Sequence, residues 1–348
     1  MILSKQLIYW YLQNKRDLPW RKTKDPYKVW LSEIMLQQTR VAQGLPYFLK
    51  FTEAFPTVFD LAKSDESTVL KLWQGLGYYS RARNLHFTSK YISDELKGVF
   101  PNNYKELLKL KGVGDYTASA IASICYDEPV AVVDGNVYRV LSRFFGISTP
   151  INSTKGIKEF KELAGTLIDV NQPGTYNQAI MDFGALHCKP QNPLCDECPV
   201  SESCVAFGKK LVKELPVKEK KIKVKKRYFN YLVVVTDDNK TLFNERIGKG
   251  IWQGLYEFPL LEAKMSISEE ELIEHKQFLE LFSDKTTMSL FNKEDIVHKL
   301  SHQHLFTKFW IVKTKKVEGE TVDWNQVKKY PTPILIDKFL NEYLSEAL

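Results

Sequence analysis

Four of the chain's five cysteines fall in one short stretch, Cys188, Cys195, Cys198 and Cys204, with six, two and five residues between them. Four thiolates on one loop suit either a single tetrahedral metal ion or the four corners of a cuboidal iron–sulfur cluster. Structural zinc usually takes two close cysteine pairs, and here only Cys195 and Cys198 form one. Spacing alone therefore leaves iron–sulfur, zinc and unligated core thiols open. The fifth cysteine, Cys125, follows Ile121 and Ile124 in an apolar helical run and reads as a core thiol. Five cysteines in 348 residues, four of them clustered, exclude a secreted disulfide scaffold.

The remaining composition is globular, with 44% hydrophobic and 26% charged residues, and the length leads us to expect two domains. No apolar run approaches the roughly 18 residues of a membrane helix, and the N-terminus carries no signal-peptide core. A cytoplasmic protein without membrane contact is expected. The net charge of +7 is unevenly held: residues 209–227 contain ten Lys or Arg against Glu214 and Glu219, so the rest of the chain is near neutral. That stretch reads as a basic linker, either simply solvated or in contact with phosphate.

On either side of it the hydrophobic period differs. Up to about residue 205 apolar residues recur three and four apart, as in 29–43, 68–74, 118–125, 137–145 and 176–186, which predicts helices. Beyond it, residues 228–235 and 241–246 alternate around Asp237-Asp238-Asn239 and predict a β-hairpin. A helix over 269–282, a strand over 299–313 and a closing helix over 334–348 follow. The fold class is thus α+β, with an all-α front part and a smaller mixed rear part.

Three features of the front part carry chemistry. Gly112-Val113-Gly114 breaks one helical run and starts another, which suits either a plain interhelical turn or a phosphate site of free backbone N–H groups, with Asp115 as a mild objection to the latter. Glu33 shares its helix face with Trp30, Gln37, Leu36 and Val29. Burial in such a strip raises a carboxyl's pKa and makes it a proton donor; the alternative is an exposed Glu paired with Arg40. Asp134 ends the run Val130-Ala131-Val132-Val133 and precedes a helical pattern, which fits an N-cap and also an anion whose pKa the helix dipole lowers. One proton donor and one anion flanking a sugar carbon can cleave a glycosidic bond.

In order along the chain, Ser32-Glu33-Ile34-Met35-Leu36-Gln37-Gln38-Thr39, the segment Gly75-Leu76-Gly77-Tyr78-Tyr79-Ser80-Arg81-Ala82-Arg83-Asn84-Leu85, the glycine hairpin, Val133-Asp134-Gly135-Asn136-Val137 and the four-cysteine loop resemble adenine DNA glycosylases of the MutY type, in the helix-hairpin-helix superfamily with endonuclease III. The resemblance implies a helix-hairpin-helix core over 1–208 with a four-iron four-sulfur (4Fe-4S) cluster on Cys188, Cys195, Cys198 and Cys204. It further implies excision of adenine mispaired with 8-oxoguanine or guanine in double-stranded DNA. By matching positions, Glu33 would protonate adenine N7, Asp134 would stabilise or be attacked by C1′, and Asn136 would orient Asp134. Gln38 and Tyr78 match wedge residues, Trp20, Arg21 and Gln178 match the adenine pocket, and Gly112 and Gly114 match the DNA-binding hairpin. For Trp20, Tyr78 and Tyr79 core packing is the competing role. Tyr116 stands where endonuclease III-type lyases carry the Schiff-base lysine, which favours a monofunctional enzyme.

Residues 228–348, through Gly250-Ile251-Trp252-Gln253-Gly254-Leu255-Tyr256-Glu257-Phe258-Pro259, resemble the Nudix-like C-terminal domain of the same enzymes. Glu269-Glu270-Glu271 lacks the setting of a Mg²⁺-binding Nudix signature, so 8-oxoguanine recognition is the implied role. Ser301 and His302 would contact the damaged base, while Leu300 stands where relatives carry Phe. Two other functions are compatible with parts of the pattern: a glycosylase-lyase acting on oxidised pyrimidines and a non-catalytic iron–sulfur sensor of DNA damage. A monomer is expected, in a bacterial cytoplasm and at the nucleoid through DNA binding.

Overall fold

The computed structural model describes residues 2–219, 224–282 and 286–346. The chain divides into two compact units, Met1–Lys63 with Asn84–Lys220, and Ser64–Arg83 with Lys221–Leu348. Ser64–Arg83 precedes the cysteine loop in sequence yet groups with the C-terminal strands.

The elements described in the first unit are all helices. Pro26–Leu36 starts where its sequence says it should: the Asp25 side chain accepts from Tyr27 N, and proline occupies the first turn, where no N–H partner is needed. The run expected as one helix over 29–43 is two, because Gln38 takes a left-handed φ of 56° and the chain restarts as Val41–Ala54. Asp115–Tyr126, Gly135–Phe145 and Pro173–Asp182 supply the other site-bearing helices. Pro173–Asp182 packs against both Ile2–Asn14 and Asp115–Tyr126. Trp30, Phe51, Phe160, Tyr176 and Phe183 form the buried aromatic core. Part of the basic stretch is anchored in this unit: Ile151 N donates to Val217 O at 3.0 Å and Arg143 Nε to Leu215 O at 3.0 Å. Residues 220–223 lie outside the described residues.

In the second unit Lys225–Thr236 and Gln303–Thr314 pair in parallel along twelve residues, from Lys225 opposite Gln303 to Thr236 opposite Thr314. Leu260–Ala263 flanks the first strand, and Thr287–Leu290 and Ile296–Lys299 pair antiparallel with the second. The closing helix Ile334–Glu346 covers one face, with Phe339 stacked on Phe309 at 4.1 Å. On the other face Leu272 and Phe278 join a cluster with Leu232, Val234, Trp310 and Val312. Central strands covered on both faces are buried continuously, as Asn230–Val234 is.

Two sequence expectations are corrected here. Lys240–Leu242 follows the expected turn but does not pair back as a hairpin; its ladder partner is Thr321–Asp323, and Thr236 Oγ1 closes the turn by accepting from Lys240 N at 2.8 Å. The helix expected over 269–282 is two short ones, Glu269–Ile273 and Lys276–Leu281, because His275 turns extended and caps the second through Gln277 N.

Candidate active site

Four helices of the first unit bring Glu33, Tyr116, Asp134 and Gln178 around one cavity of about 390 Å³, Glu33 and Gln178 from helix interiors, Tyr116 from a first turn and Asp134 from an N-cap. Trp20 and Arg21, from the turn Pro19–Arg21, line it too, and Trp20 is at once a core residue, edge-on to Phe48 at 5.0 Å. Glu33 is 8% exposed, and burial pushes its carboxyl up to about 7, against the lowering effects of a hydrogen bond to Tyr116 and of the Arg21 charge. The competing role of a surface ion pair with Arg40 is therefore excluded. The Tyr116 hydroxyl also lies 3.1 Å from Met181 Sδ. A phenol has one proton to give, so a protonated Glu33 can donate to Tyr116 while Tyr116 donates to the thioether.

Asp134 is the N-cap of Gly135–Phe145. Oδ1 accepts from Asn136 N at 2.9 Å and Val137 N at 2.8 Å, and Oδ2 accepts from Asn136 Nδ2 at 2.8 Å. Its pKa is raised, which corrects the lowered value expected from the helix dipole: burial outweighs the three N–H donors. Arg139 fixes Asn136 in turn. Its Nη2 donates to Asn136 Oδ1 at 2.8 Å and to Gly184 O at 2.6 Å, which leaves the Asn136 amide N–H for Asp134. A Cβ on Gly184 would stand 2.7 Å from Asn136 Cβ, so this close approach requires glycine.

Sequence reading missed the ion cluster on the same cavity wall. Asp182 is fully buried, accepts from Arg21 Nη1 at 2.5 Å and Nη2 at 2.7 Å, and is bound by Arg16 as well. Against its burial, the two guanidiniums hold its carboxyl below the usual range. An acid inside the apolar run Ile180-Met181-Asp182-Phe183 was the available signal.

The HhH-GPD superfamily base excision DNA repair protein profile matches residues 31–165, the iron–sulfur binding domain of endonuclease III matches 188–204, and the NUDIX domain matches 230–342. The adenine DNA glycosylase of Buchnera aphidicola subsp. Schizaphis graminum is 39% identical over 271 residues, 77% of either chain. That of Buchnera aphidicola subsp. Baizongia pistaciae is 33% identical over 345 residues, 96% of this chain and 95% of its own. The chain belongs to the adenine DNA glycosylase family. It is a base-excision repair enzyme, a hydrolase of N-glycosyl bonds. Among solved structures, a thermostable thymine-DNA glycosylase aligns with a TM-score of 0.56 at 31% identity, over 60% of this chain and 96% of its own. A non-covalent endonuclease III–DNA complex shares the fold, with a TM-score of 0.53 at 22% identity over 60% of this chain and 95% of that one.

The glycosylase's four-cysteine loop fits an iron–sulfur cluster on its own geometry. Cys188, Cys195, Cys198 and Cys204 line a single cavity together with apolar groups such as Val140, Phe183 and Leu194 and with Arg143, His187 and Ser201. Among the described residues no three His, Cys, Asp or Glu converge on a single-ion site, as zinc would require. Backbone N–H groups of Val200, Ala206 and Phe207 are directed at the Cys198 and Cys204 sulfurs, and Arg143 Nη1 lies 3.5 Å from Cys188 Sγ. Such donors are what anionic cluster sulfurs need in a buried site.

The remaining expected site residues lie elsewhere. Gln38 is exposed and does not line the active cavity. In the hairpin Gly112 is left-handed, at φ 81°, and a Cβ there would meet Asn84 Cβ at 2.7 Å, while Gly114 is the helix N-cap with an ordinary φ of −92°. Asp115 is turned onto Lys161 at 2.9 Å and Tyr104, away from the free N–H groups of the helix start. In the second unit Tyr78, Ser301 and His302 line a cavity of about 450 Å³ together with Trp252. Tyr78 Oη is 2.6 Å from Ser301 Oγ. Tyr78 and Trp252 are both left-handed, at φ 48° and 62°, a strained state for bulky side chains. Tyr79, by contrast, is buried core. Among the described residues no helix is long and apolar enough to cross a membrane.

Proposed function

We propose that this glycosylase, acting as a monomer on double-stranded DNA, removes adenine mispaired with 8-oxoguanine or guanine by hydrolysis and without cutting the strand. The observation that carries the reading is one cavity holding two carboxyls in unlike settings: Glu33 with a pKa of about 7, and Asp134 with three N–H donors directed at it. Adenine must leave the stack to enter, at a cost of a few kcal/mol that is smaller for a mispair. Glu33 then donates its proton to N7, turning the base into a neutral leaving group. Ionised Asp134, oriented by Asn136, stabilises the cationic C1′ or bonds to it, and water completes the hydrolysis. Trp20, Arg21 and Gln178 enclose the base.

Position 116 is a phenol, which forms no Schiff base, and this supports the monofunctional reading. The cavity of Tyr78, Ser301 and His302 supports recognition of the oxidised guanine, with Gln38 and Tyr78 wedging the duplex and the hairpin at Gly112 and Gly114 holding a phosphate. Cys188, Cys195, Cys198 and Cys204 would hold the 4Fe-4S cluster, which when bound supplies a rigid anchor for the loop and a one-electron redox centre. Proton donation and charge stabilisation belong to the protein's own side chains.

The test is single-turnover excision on one duplex with adenine opposite 8-oxoguanine, guanine or thymine, read with and without alkali. The reading requires fastest loss opposite 8-oxoguanine and strand breaks only after alkali. Breaks without alkali would overturn the monofunctional assignment, and equal rates on all three duplexes would overturn the mispair preference.

A further inference from the structure

We infer that Tyr11, a residue outside the proposed catalytic set, fixes the orientation of the Gln178 amide and so makes the pocket read a hydrogen-bond acceptor on the excised base. The inference rests on the reading of the 390 Å³ cavity as the adenine pocket. Tyr11 is buried on Ile2–Asn14, the helix that packs against Pro173–Asp182, and its Oη lies 2.5 Å from Gln178 Oε1. The phenol donates and the amide oxygen accepts. The Arg21 guanidinium sits 5.6 Å from the centre of the Tyr11 ring, fixing the ring from its face. Burial raises the Tyr11 pKa, which keeps the donating proton in place at every working pH.

With its oxygen turned to Tyr11, Gln178 presents Nε2 to the cavity it lines, and an amide nitrogen donates but does not accept. Adenine offers acceptors at N1, N3 and N7, whereas its amino group is a donor. Glu33 addresses N7 in the proposed reaction, which leaves N1 or N3 to Gln178. A base with N–H at the matching position would confront donor with donor, which buried sites reject strongly. Tyr11 is thus a positioning residue that shapes specificity without touching the base.

The experiment is single-turnover excision by the iron-loaded protein of adenine, 1-deazaadenine and 3-deazaadenine, each opposite 8-oxoguanine, by the wild type, Tyr11→Phe and Gln178→Glu. Tyr11→Phe keeps the ring and removes one oxygen; Gln178→Glu still accepts from Tyr11 but has no donor for the base. Both variants are expected to slow adenine about tenfold and to slow by less than about twofold the one analogue that lacks the acceptor read by Gln178. A merely structural role slows all three bases alike. Equal slowing of all three by both variants overturns the inference while leaving the cavity reading intact. A wild type that releases none of the bases overturns the cavity reading, and this inference with it.

Discussion

Replacing Glu33 by Gln should abolish excision and, at the same time, stabilise the protein. Burial lifts this carboxyl from 4.5 to about 7. A carboxyl whose pKa is raised on folding stabilises fully below its unfolded value, and that contribution is lost as pH rises through the folded value. At 1.36 kcal/mol per pH unit the loss amounts to about 3 kcal/mol once the pH exceeds 7. An amide of the same shape does not titrate. Glu33→Gln should therefore exceed the wild type by about 3 kcal/mol at pH 8 and by less than about 1 kcal/mol at pH 5. For a unit of this size that corresponds to a midpoint roughly 6 to 12 °C higher at pH 8. The assay is thermal unfolding of both iron-loaded proteins at the two pH values, with all other titrating groups cancelling in the difference. A variant no more stable than the wild type at pH 8 would refute the reasoning. An equal gain at both pH values would also refute it, since ionisation could not then be the source.

Three further outcomes are expected. With DNA well below saturation, the second-order excision rate should fall about tenfold per pH unit above about 7, because only protonated Glu33 donates; a rate that stays level to pH 9 would remove Glu33 as the acid. Asp182→Asn should lower stability by about 3 to 5 kcal/mol in thermal unfolding, because it strips the buried counter-charge from Arg16 and Arg21; a change below about 1 kcal/mol would mean that solvent already screens the pair. Ser301→Ala should reduce the preference for 8-oxoguanine over guanine opposite adenine by roughly fivefold, one hydrogen bond's worth, with the guanine rate unchanged. An unaltered ratio would detach Ser301 from recognition.

What the sequence disclosed was whatever neighbouring residues decide. Three- and four-residue periodicity placed Glu33 on an apolar face, and the face is buried. A polar residue between an apolar run and a helical pattern marked Asp134 as an N-cap, and it caps. The cysteine spacing left iron–sulfur, zinc and unligated thiols open, and it took the family resemblance, which the match over 188–204 supports, to choose the iron–sulfur cluster. What stayed hidden was set by partners far along the chain. The Asp134 pKa depends on burial by helices absent from its local pattern, so the dipole argument gave the wrong sign. Asp182 meets Arg16 and Arg21 across more than 160 residues, and no window of the sequence holds all three. Lys240–Leu242 finds its partner in Thr321–Asp323, some eighty residues on, so turn chemistry alone named the wrong neighbour.

The division of labour between the two carboxyls follows from where each stands on its helix. Inside a helix every backbone N–H is engaged by the carbonyl four residues back, so a mid-helix side chain such as Glu33 can draw no donors from its own backbone. It must rely on distant side chains, here Tyr116 and Arg21, and burial wins by enough to keep the proton. At a helix start the first N–H groups have no carbonyl to serve and point at the N-cap side chain. Asn136 N and Val137 N do so for Asp134, and the Asn136 amide, held by Arg139, adds a third donor. Moving Glu33 to a helix start would give it N–H donors that oppose its burial, and moving Asp134 to a helix interior would strip those donors away and raise its pKa further. Placing one acid at each kind of position therefore gives two buried carboxyls in one cavity unlike sets of hydrogen-bond donors.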